Sequence, residues 1–190
     1  TAGDKGFKSC SFEEVDGLAS EMADSILGLI ESKEINAINP DLAAKSFTIP
    51  LEIEPYSKGY FEQLYKDSSN QSQKNAILNI LKRYDKSESI VDLRAGIIKL
   101  DSNNFIAYMG GEPCVEIKHI VEKALSGKNV IFVGYIDSTA YIPDDKIIQE
   151  GGFEPEGSTV DYEMKGKFKK GIDQMISKYF LANFQEISSA

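Results

Sequence analysis

The second half of this chain alternates between strand-like and helix-like segments, and this alternation constrains the fold more than any other feature of the sequence. Short apolar runs predict strands at residues 89–93, 96–100, 105–109 and 130–135. The periodic run Val115–Leu125 predicts a helix between the last two strands, and the polar Asp101–Asn104 predicts a hairpin turn. Strands interleaved with helices indicate an α/β fold, in which helices pack on a mixed β-sheet.

The first half opens with a strong helix signal. Ser11 and Glu14 have the spacing of a capping box, and apolar residues recur after them at helical spacing. This pattern predicts a long amphipathic helix over residues 11–32. Residues 47–53 alternate between apolar and polar side chains and predict a half-exposed strand, which Pro50 assigns to a sheet edge or a bulge.

The remaining helices are predicted from shorter patterns, at residues 60–65, 76–81 and 162–184. The polar segment 67–74 is expected to be a surface loop between the first two. Gly166 and Gly171 weaken the start of the closing helix, and the basic run Lys165–Lys170 is expected to form a solvated face of it.

Composition bounds the class of protein. A chain of 190 residues with 42% hydrophobic content is long enough for one domain with a core. The net charge of −9 argues against a nucleic-acid partner, because phosphate backbones are bound by clustered Lys and Arg. No apolar run approaches the roughly 20 residues that span a bilayer, so no transmembrane segment is expected. Cys10 and Cys114 are too few for a disulfide framework.

Few residues offer catalytic chemistry by themselves. His119, the one histidine, lies inside a predicted helix, where a surface or core role is more common than a ligand role. The paired glycines at 110–111 and 151–152 form neither a dinucleotide-binding nor a phosphate-binding loop. Thr1 fits the nucleophile of a self-processing hydrolase, but the early strand pattern of such an enzyme does not follow it.

The turn Gly110-Gly111-Glu112-Pro113 is the most informative local feature. It joins a predicted strand to a predicted helix, with Pro113 in the first helical turn, and so puts the Glu112 carboxylate at the mouth of a sheet. We expect this carboxylate at the rim of a cleft. The alternative is that Glu112 only complements the positive end of the helix dipole.

The order of several short motifs resembles that of a known family. The chain contains Ala2-Gly3-Asp4, the helix opening Ser11–Glu14, the turn Gly111–Glu116, the strand Phe132–Tyr135, the tripeptide Tyr141-Ile142-Pro143 and the run Glu150–Glu154. It is similar over nearly its whole length to the C-terminal half of the catalytic domain of the neutral/alkaline, non-lysosomal ceramidases and their bacterial relatives. Each motif is short, so the specificity lies in their order and spacing.

The resemblance implies a zinc-dependent amidase that cleaves the N-acyl bond of a lipid such as ceramide. In that family the zinc is held by two histidines of the N-terminal half, a glutamate that Glu112 matches, and a tyrosine. A serine that assists at the metal precedes a Gly-Asp element, which Gly3-Asp4 matches. The resemblance therefore places that serine immediately upstream of Thr1.

This sequence departs from the family at the metal tyrosine. Ser138 stands at that position, within Asp137-Ser138-Thr139, and a serine is too short to reach the same metal. Tyr141 matches a second family tyrosine and is our candidate catalytic residue; a local shift would let Tyr135 or Tyr141 replace the missing ligand. The family's immunoglobulin-like C-terminal module does not follow.

The leading hypothesis is that residues 1–190 are a single domain or the C-terminal portion of a larger layered α/β hydrolytic domain. Its partner would be the N-terminal half of the same protein, and zinc would bind only when both halves are present. The isolated chain is then expected to be inactive and to expose a large apolar patch. The alternative is a non-catalytic scaffold or binding domain with a degenerate metal site. The sequence itself carries no address, and only the family analogy leads us to expect export to the periplasm or the cell exterior.

Overall fold

The computed structural model describes residues 11–32, 37–86, 89–137 and 140–188. Its helices are α1 (Phe12–Glu31), α2 (Lys58–Asp67), α3 (Gln71–Arg83), α4 (Val115–Ala124), α5 (Asp145–Glu150) and α6 (Ile172–Ser188), with a 3₁₀ turn at Gly157–Thr159. Its strands are β1 (Ala43–Pro55), β2 (Ile90–Lys99), β3 (Asn104–Met109), β4 (Glu112–Pro113), β5 (Asn129–Val133), β6 (Tyr141–Ile142) and β7 (Gly166–Phe168). The chain forms two compact units, residues 1–40 and 41–190.

The first unit contains α1, which begins as the sequence predicts. The Glu14 amide donates to Ser11 Oγ at 3.2 Å, and the Ser11 amide donates to Glu14 Oε2 at 2.7 Å. This reciprocal pair is the capping box, and it satisfies two amides that would otherwise lack partners in the first turn. No residue of α1 is buried. None of the described helices is long and apolar enough to cross a membrane.

The second unit is built on a five-stranded mixed sheet with the order β5-β3-β2-β1-β7. The four strands β3, β2, β1 and β7 pair antiparallel, whereas β5 runs parallel to β3. Parallel neighbours need a crossover connection, and α4 provides it between β3 and β5. The predicted α/β class, a mixed sheet with helices packed on it, is confirmed.

The core of the second unit lies on one face of the sheet. Alternate residues of the central strands point into it, including Leu93, Ile97 and Met109, which are fully buried. Helices α4 and α6 cover this face through Ile117, Val121, Ile176 and Phe180. The helical and strand periodicities of the sequence thus converge on a single apolar layer.

The opposite face of the sheet carries a second apolar row that is not part of that core. Ile98, Ile106 and Ile131 are direct cross-strand neighbours on β2, β3 and β5. Ile98 and Ile106 are half-buried, and Ile131 is 61% exposed. The sheet is therefore apolar on both faces but has its main core on one.

Strand β2 differs from its prediction. The sequence predicts two strands, at 89–93 and 96–100, whereas residues 90–99 form one continuous strand. Arg94 and Gly96 interrupt the apolar pattern, but both are in register with β1, and Gly96 also with β3. Pairing with two neighbours outweighs this local break in hydrophobicity.

Pro50 lies in β1 at a position with a neighbouring strand on one side only. Such a position suits proline, which has no amide hydrogen to donate to a second strand. Strand β1 has β2 on one side along this stretch, where Pro50 is in register with Asp92. On the other side of β1, β7 pairs only with residues 53–55. Pro50 thus lies where β1 has a single neighbouring strand, in agreement with the edge-type position predicted from the sequence.

The closing helix is shorter than predicted. Residues 162–171 contain β7 and turns, and α6 begins only at Ile172. Gly166 lies so close to β1 that a Cβ atom would come within 2.0 Å of the Glu54 carbonyl oxygen. Its role is therefore close strand packing rather than a weak helix start.

The basic run Lys165–Lys170 is correspondingly not a helix face. Lys167 pairs with Glu156 at 2.8 Å, and Lys169 pairs with Glu52 at 2.7 Å. These pairs hold β7 and the following turn against neighbouring segments of the same unit.

Helices α2 and α3 form a hairpin with its own small core. Phe61, Ile77 and Ile80 are buried in it together with Val160. The loop between the helices is shorter than the predicted 67–74, because the Asn70 side chain accepts hydrogen bonds from the amides of Ser72 and Gln73 and starts α3 at Gln71.

Candidate functional site

The glycine turn after β3 determines where Glu112 lies. Gly111 has a φ of 73°, and its amide donates to the Asp137 carbonyl at 2.6 Å. A Cβ atom at Gly111 would meet the Ala140 carbonyl oxygen at 2.7 Å. Only glycine fits both the left-handed backbone and this close approach, so the turn directs the chain from β3 into β4.

Strand β4 pairs in parallel with β6, and this short pairing brings the two candidate site residues together. Glu112 is in register with Tyr141, and the Glu112 amide donates to the Ala140 carbonyl at 2.8 Å. Pro113 belongs to β4, so its prediction as part of the first helical turn is wrong. Helix α4 instead starts after Cys114, and Glu116 is the acidic residue of its first turn.

The Glu112 carboxylate is half-buried between two phenols. The Tyr162 hydroxyl donates a hydrogen bond to Glu112 Oε1, and Tyr141 is the cross-strand neighbour of Glu112 in the β4–β6 pair. The Tyr141 ring packs edge-on against Tyr162, with centroids 5.8 Å apart, and against Phe153 at 6.0 Å. We call Glu112, Tyr141, Tyr162 and Phe153 the Glu112 cluster.

The phenol of Tyr141 is held in its neutral form. Burial raises its pKa above the ordinary value of 10, and the charge of Glu112 and the hydrogen bond to it raise it further. Tyr141 is therefore a protonated hydrogen-bond donor at neutral pH. Within the described residues, Glu112 has no ion pair with a basic side chain, so its negative charge is balanced only by hydrogen bonds.

The Glu112 cluster lies at the carboxyl ends of the two parallel strands. The loop after β3 contains Gly111, and the loop after β5 contains Tyr135, whose amide donates to the Gly111 carbonyl at 2.9 Å. Arg94 and Asp137 form an ion pair at 3.6 Å beside these loops. In α/β sheets the loops at the carboxyl ends of parallel strands are where binding sites are built.

The described residues do not bring three metal ligands together. No group of three or more His, Cys, Asp or Glu side chains in residues 11–32, 37–86, 89–137 and 140–188 has a metal-binding arrangement. Catalytic zinc takes three protein ligands and an open position. Within the described residues, Glu112 is the one carboxylate of the Glu112 cluster.

Other candidates from the sequence lie away from this cluster. His119 is exposed on α4 and contacts Glu122 at 3.2 Å, so it is a surface residue. Cys114 is buried, and burial raises the pKa of its thiol to about 11, which makes it a poor nucleophile and ligand at neutral pH. Ser138 and Thr139, and the amino-terminal Thr1, Gly3-Asp4 and Cys10, lie outside the described residues.

Tyr162 and Phe153 are the members of the cluster that sequence reasoning did not find. Tyr162 was predicted as the first residue of the closing helix, yet it lies in a turn and reaches back 50 positions to Glu112. No local spacing connects these residues. The run Glu150–Glu154, which carries part of the family resemblance, is the one signal that pointed to this part of the chain.

No protein-family model matches this sequence, and neither the curated proteins nor the solved structures contain a significant match. The Glu112 cluster and the motifs that surround it are therefore the features of this chain that bear on its function.

Proposed function

We propose that this chain is the C-terminal portion of a ceramidase-like zinc amidohydrolase that cleaves an N-acyl amide bond in a lipid-like substrate. The observation that carries the proposal is the pairing of Glu112 with Tyr141 and Tyr162 at the carboxyl ends of β3 and β5. Two of these residues fall on family motifs, and the fold brings them into contact.

Glu112 would be the metal ligand supplied by this chain. Among the described residues, its carboxylate is partly buried, accepts a hydrogen bond from the Tyr162 phenol and forms no ion pair with Lys or Arg. These surroundings suit a side chain that binds a cation. Held there, a zinc ion would supply a bound water with a pKa of about 7 and a Lewis acid for the amide carbonyl. The two family histidines would come from an N-terminal portion of the same protein.

The tyrosines have separate roles in this proposal. The Tyr162 hydroxyl donates to Oε1 of Glu112 and orients the carboxylate. Tyr141 keeps its proton at neutral pH. Once zinc engages the Glu112 carboxylate, this proton would be available for a hydrogen bond to the carbonyl oxygen of a bound amide as negative charge develops there. Tyr141 is thus the proposed catalytic residue of this chain, and Tyr162 is a positioning residue.

The surroundings of the cluster favour an apolar substrate. Tyr135 is 71% exposed, Phe153 is 53% exposed and Ile136 is 41% exposed, all on loops next to the Glu112 cluster or in contact with it. Neighbouring exposed aromatic and aliphatic side chains provide a surface for a hydrocarbon chain. A lipid amide presents its acyl chain beside the bond to be cleaved.

The open face of the sheet supports the N-terminal portion as a partner. The row Ile98, Ile106 and Ile131 lies outside the main core, as expected if a further layer of the same protein packs there. In this proposal the N-terminal portion covers that row and supplies the missing ligands. Export from the cell is part of the same family analogy.

The test combines this chain with the polypeptide encoded immediately before Thr1 and measures bound zinc and hydrolysis of an N-acyl sphingosine. We expect one zinc per combined protein and none in residues 1–190 alone. Glu112→Gln should weaken zinc retention by at least about tenfold, because an amide is a poorer ligand than a carboxylate. Glu116→Gln is the matched control, since Glu116 is exposed on α4 and should not affect zinc.

Two results would contradict the proposal. One equivalent of zinc in the isolated chain would mean that the ligands have been wrongly assigned. Absence of zinc and of activity from the combined protein would favour the alternative, a scaffold or binding domain with a degenerate metal site. The observation that favours this alternative is Ser138, which stands where the family has a metal tyrosine.

A further inference from the structure

Helix α1 has a pattern that the proposed function does not use. Six of its apolar residues are separated alternately by three and four positions, which is the a and d spacing of a coiled coil. They are Phe12, Val15, Ala19, Met22, Ile26 and Leu29. All six are exposed, so α1 presents a continuous apolar seam along its whole length.

The charges of α1 are arranged so that this seam is free of them. The helix contains no Lys or Arg, and its acidic residues Glu13, Glu14, Glu21, Asp24 and Glu31 all fall at the outward b, c and f positions. Asp16 alone lies at a flanking e position. Acidic residues at e and g would repel a second copy of the helix, and here those positions are otherwise Leu18, Ala23, Ser25 and Ile30.

The glycines of α1 follow the same division. Gly17 is at an f position and Gly28 is at a c position, and a Cβ atom at either would have no neighbour within 4 Å. Both residues therefore lie outside the seam, where the absence of a side chain costs no packing between helices.

From this distribution we infer that α1 pairs with α1 of a second copy of this chain as a two-stranded coiled coil. The same seam faces itself in the pair, as two-fold symmetry requires. In a parallel or an antiparallel arrangement, the single Asp16 of each helix does not face another acid across the seam. Isolated helices of about 20 residues are marginally stable in water, so pairing would also stabilise α1 itself.

The experiment measures the mass of the 1–190 chain by sedimentation equilibrium at about 200 µM, where a Kd of 1 mM or tighter still populates detectable dimer. Ile26→Glu puts a charge at an a position, and Leu27→Glu puts the same charge at the adjacent b position. The two side chains are equally exposed, at 48% and 53%, so the variants are matched in size, charge and helix propensity.

We expect a weight-average mass above that of the monomer for the wild-type chain and for Leu27→Glu, and the monomer mass for Ile26→Glu. Met22→Leu, which keeps a d position apolar, should remain dimeric and shows that substitution in the seam is tolerated. A monomeric wild-type chain would overturn the inference and leave the seam to another partner, such as the N-terminal portion. The heptad assignment would be overturned if the Ile26→Glu variant remained dimeric. It would also be overturned if Ile26→Glu and Leu27→Glu were both monomeric.

Discussion

At the scale of single residues, the two glycines before Glu112 have different surroundings. Gly111 has a positive φ, and its α-carbon faces the Ala140 carbonyl and the Ile142 side chain. Gly110 has no positive φ, and a Cβ atom there would come no closer than 3.4 Å to any other atom. The requirement for glycine is therefore specific to Gly111.

We predict that Gly111→Ala lowers the free energy of unfolding by about 2–4 kcal/mol, the combined cost of a left-handed alanine and an overpacked contact. Gly110→Ala should lower it by less than about 1 kcal/mol. Urea unfolding followed by circular dichroism measures both. Equal losses in the two variants would show that the turn does not depend on the conformation of Gly111.

At the scale of secondary-structure elements, carboxylates connect α5 to α6. Asp145 Oδ1 accepts hydrogen bonds from the amides of Gly171 at 2.7 Å and Ile172 at 3.1 Å, which caps the start of α6. In return, the Asp145 amide donates to Asp173 Oδ1 at 2.9 Å. The two helix starts are thus joined by reciprocal hydrogen bonds, at the cost of placing acidic groups close together.

At this junction, the neighbouring acidic groups disfavour the charged form of Asp173. Burial raises the pKa of its carboxyl group above 3.8, and the charges of Asp145, Asp144 and Glu116 raise it further, against the hydrogen bond from the Asp145 amide that lowers it. A raised pKa means that folding favours the protonated form. The stability that depends on this group is therefore present below its ordinary pKa and is lost as pH rises through the folded pKa.

We predict that Asp173→Asn raises the free energy of unfolding at pH 7, because asparagine keeps the Oδ1 acceptor and removes the charge. The gain should shrink as pH falls through the raised pKa of Asp173, because the wild-type carboxyl group is then protonated and uncharged. Urea unfolding across this pH range tests the trend, with Asp161→Asn, at an exposed position, as the control. A gain that does not change with pH would exclude charge repulsion as its cause.

At the scale of the whole molecule, all the residues of both apolar cores belong to the second unit. The main core and the α2–α3 core are drawn from residues 41–190, and no residue of α1 is buried. Strand β1 is central to that unit, since it pairs with β2 along ten residues and with β7 at its end.

We predict that residues 41–190 fold alone and unfold with a free energy within about 0.5 kcal/mol of the whole chain, because the described residues of the removed segment, 11–32 and 37–40, are all exposed. Residues 57–190, which lack β1, should not fold, because β2 and β7 each lose a neighbouring strand. Urea unfolding and near-ultraviolet circular dichroism distinguish the outcomes. Failure of 41–190 to fold would show that the first unit is needed for the second.

The sequence by itself determined the elements whose signals are local. The capping box at Ser11 and the apolar period after it specified α1, and the alternation of residues 47–53 specified the buried face of β1, because capping and amphipathicity depend on residues within a few positions of each other. Two residues of the candidate site, Glu112 and Tyr141, were predicted from the sequence, because they lie on short motifs that follow the same order as in the family that this chain resembles.

The tertiary structure decided the features that depend on distant neighbours. Strand β2 is continuous because β1 pairs with it from residue 90 to residue 99, across Asp92 and Arg94, while β3 pairs with residues 95–99. Residues 166–168 form a strand rather than a helix because Gly166 packs against β1. Tyr162 reaches Glu112 because the β4–β6 pairing and the turn after Val160 bring together residues 50 positions apart. Such contacts are set by packing, and packing energies between distant segments leave no periodic signal in a single sequence.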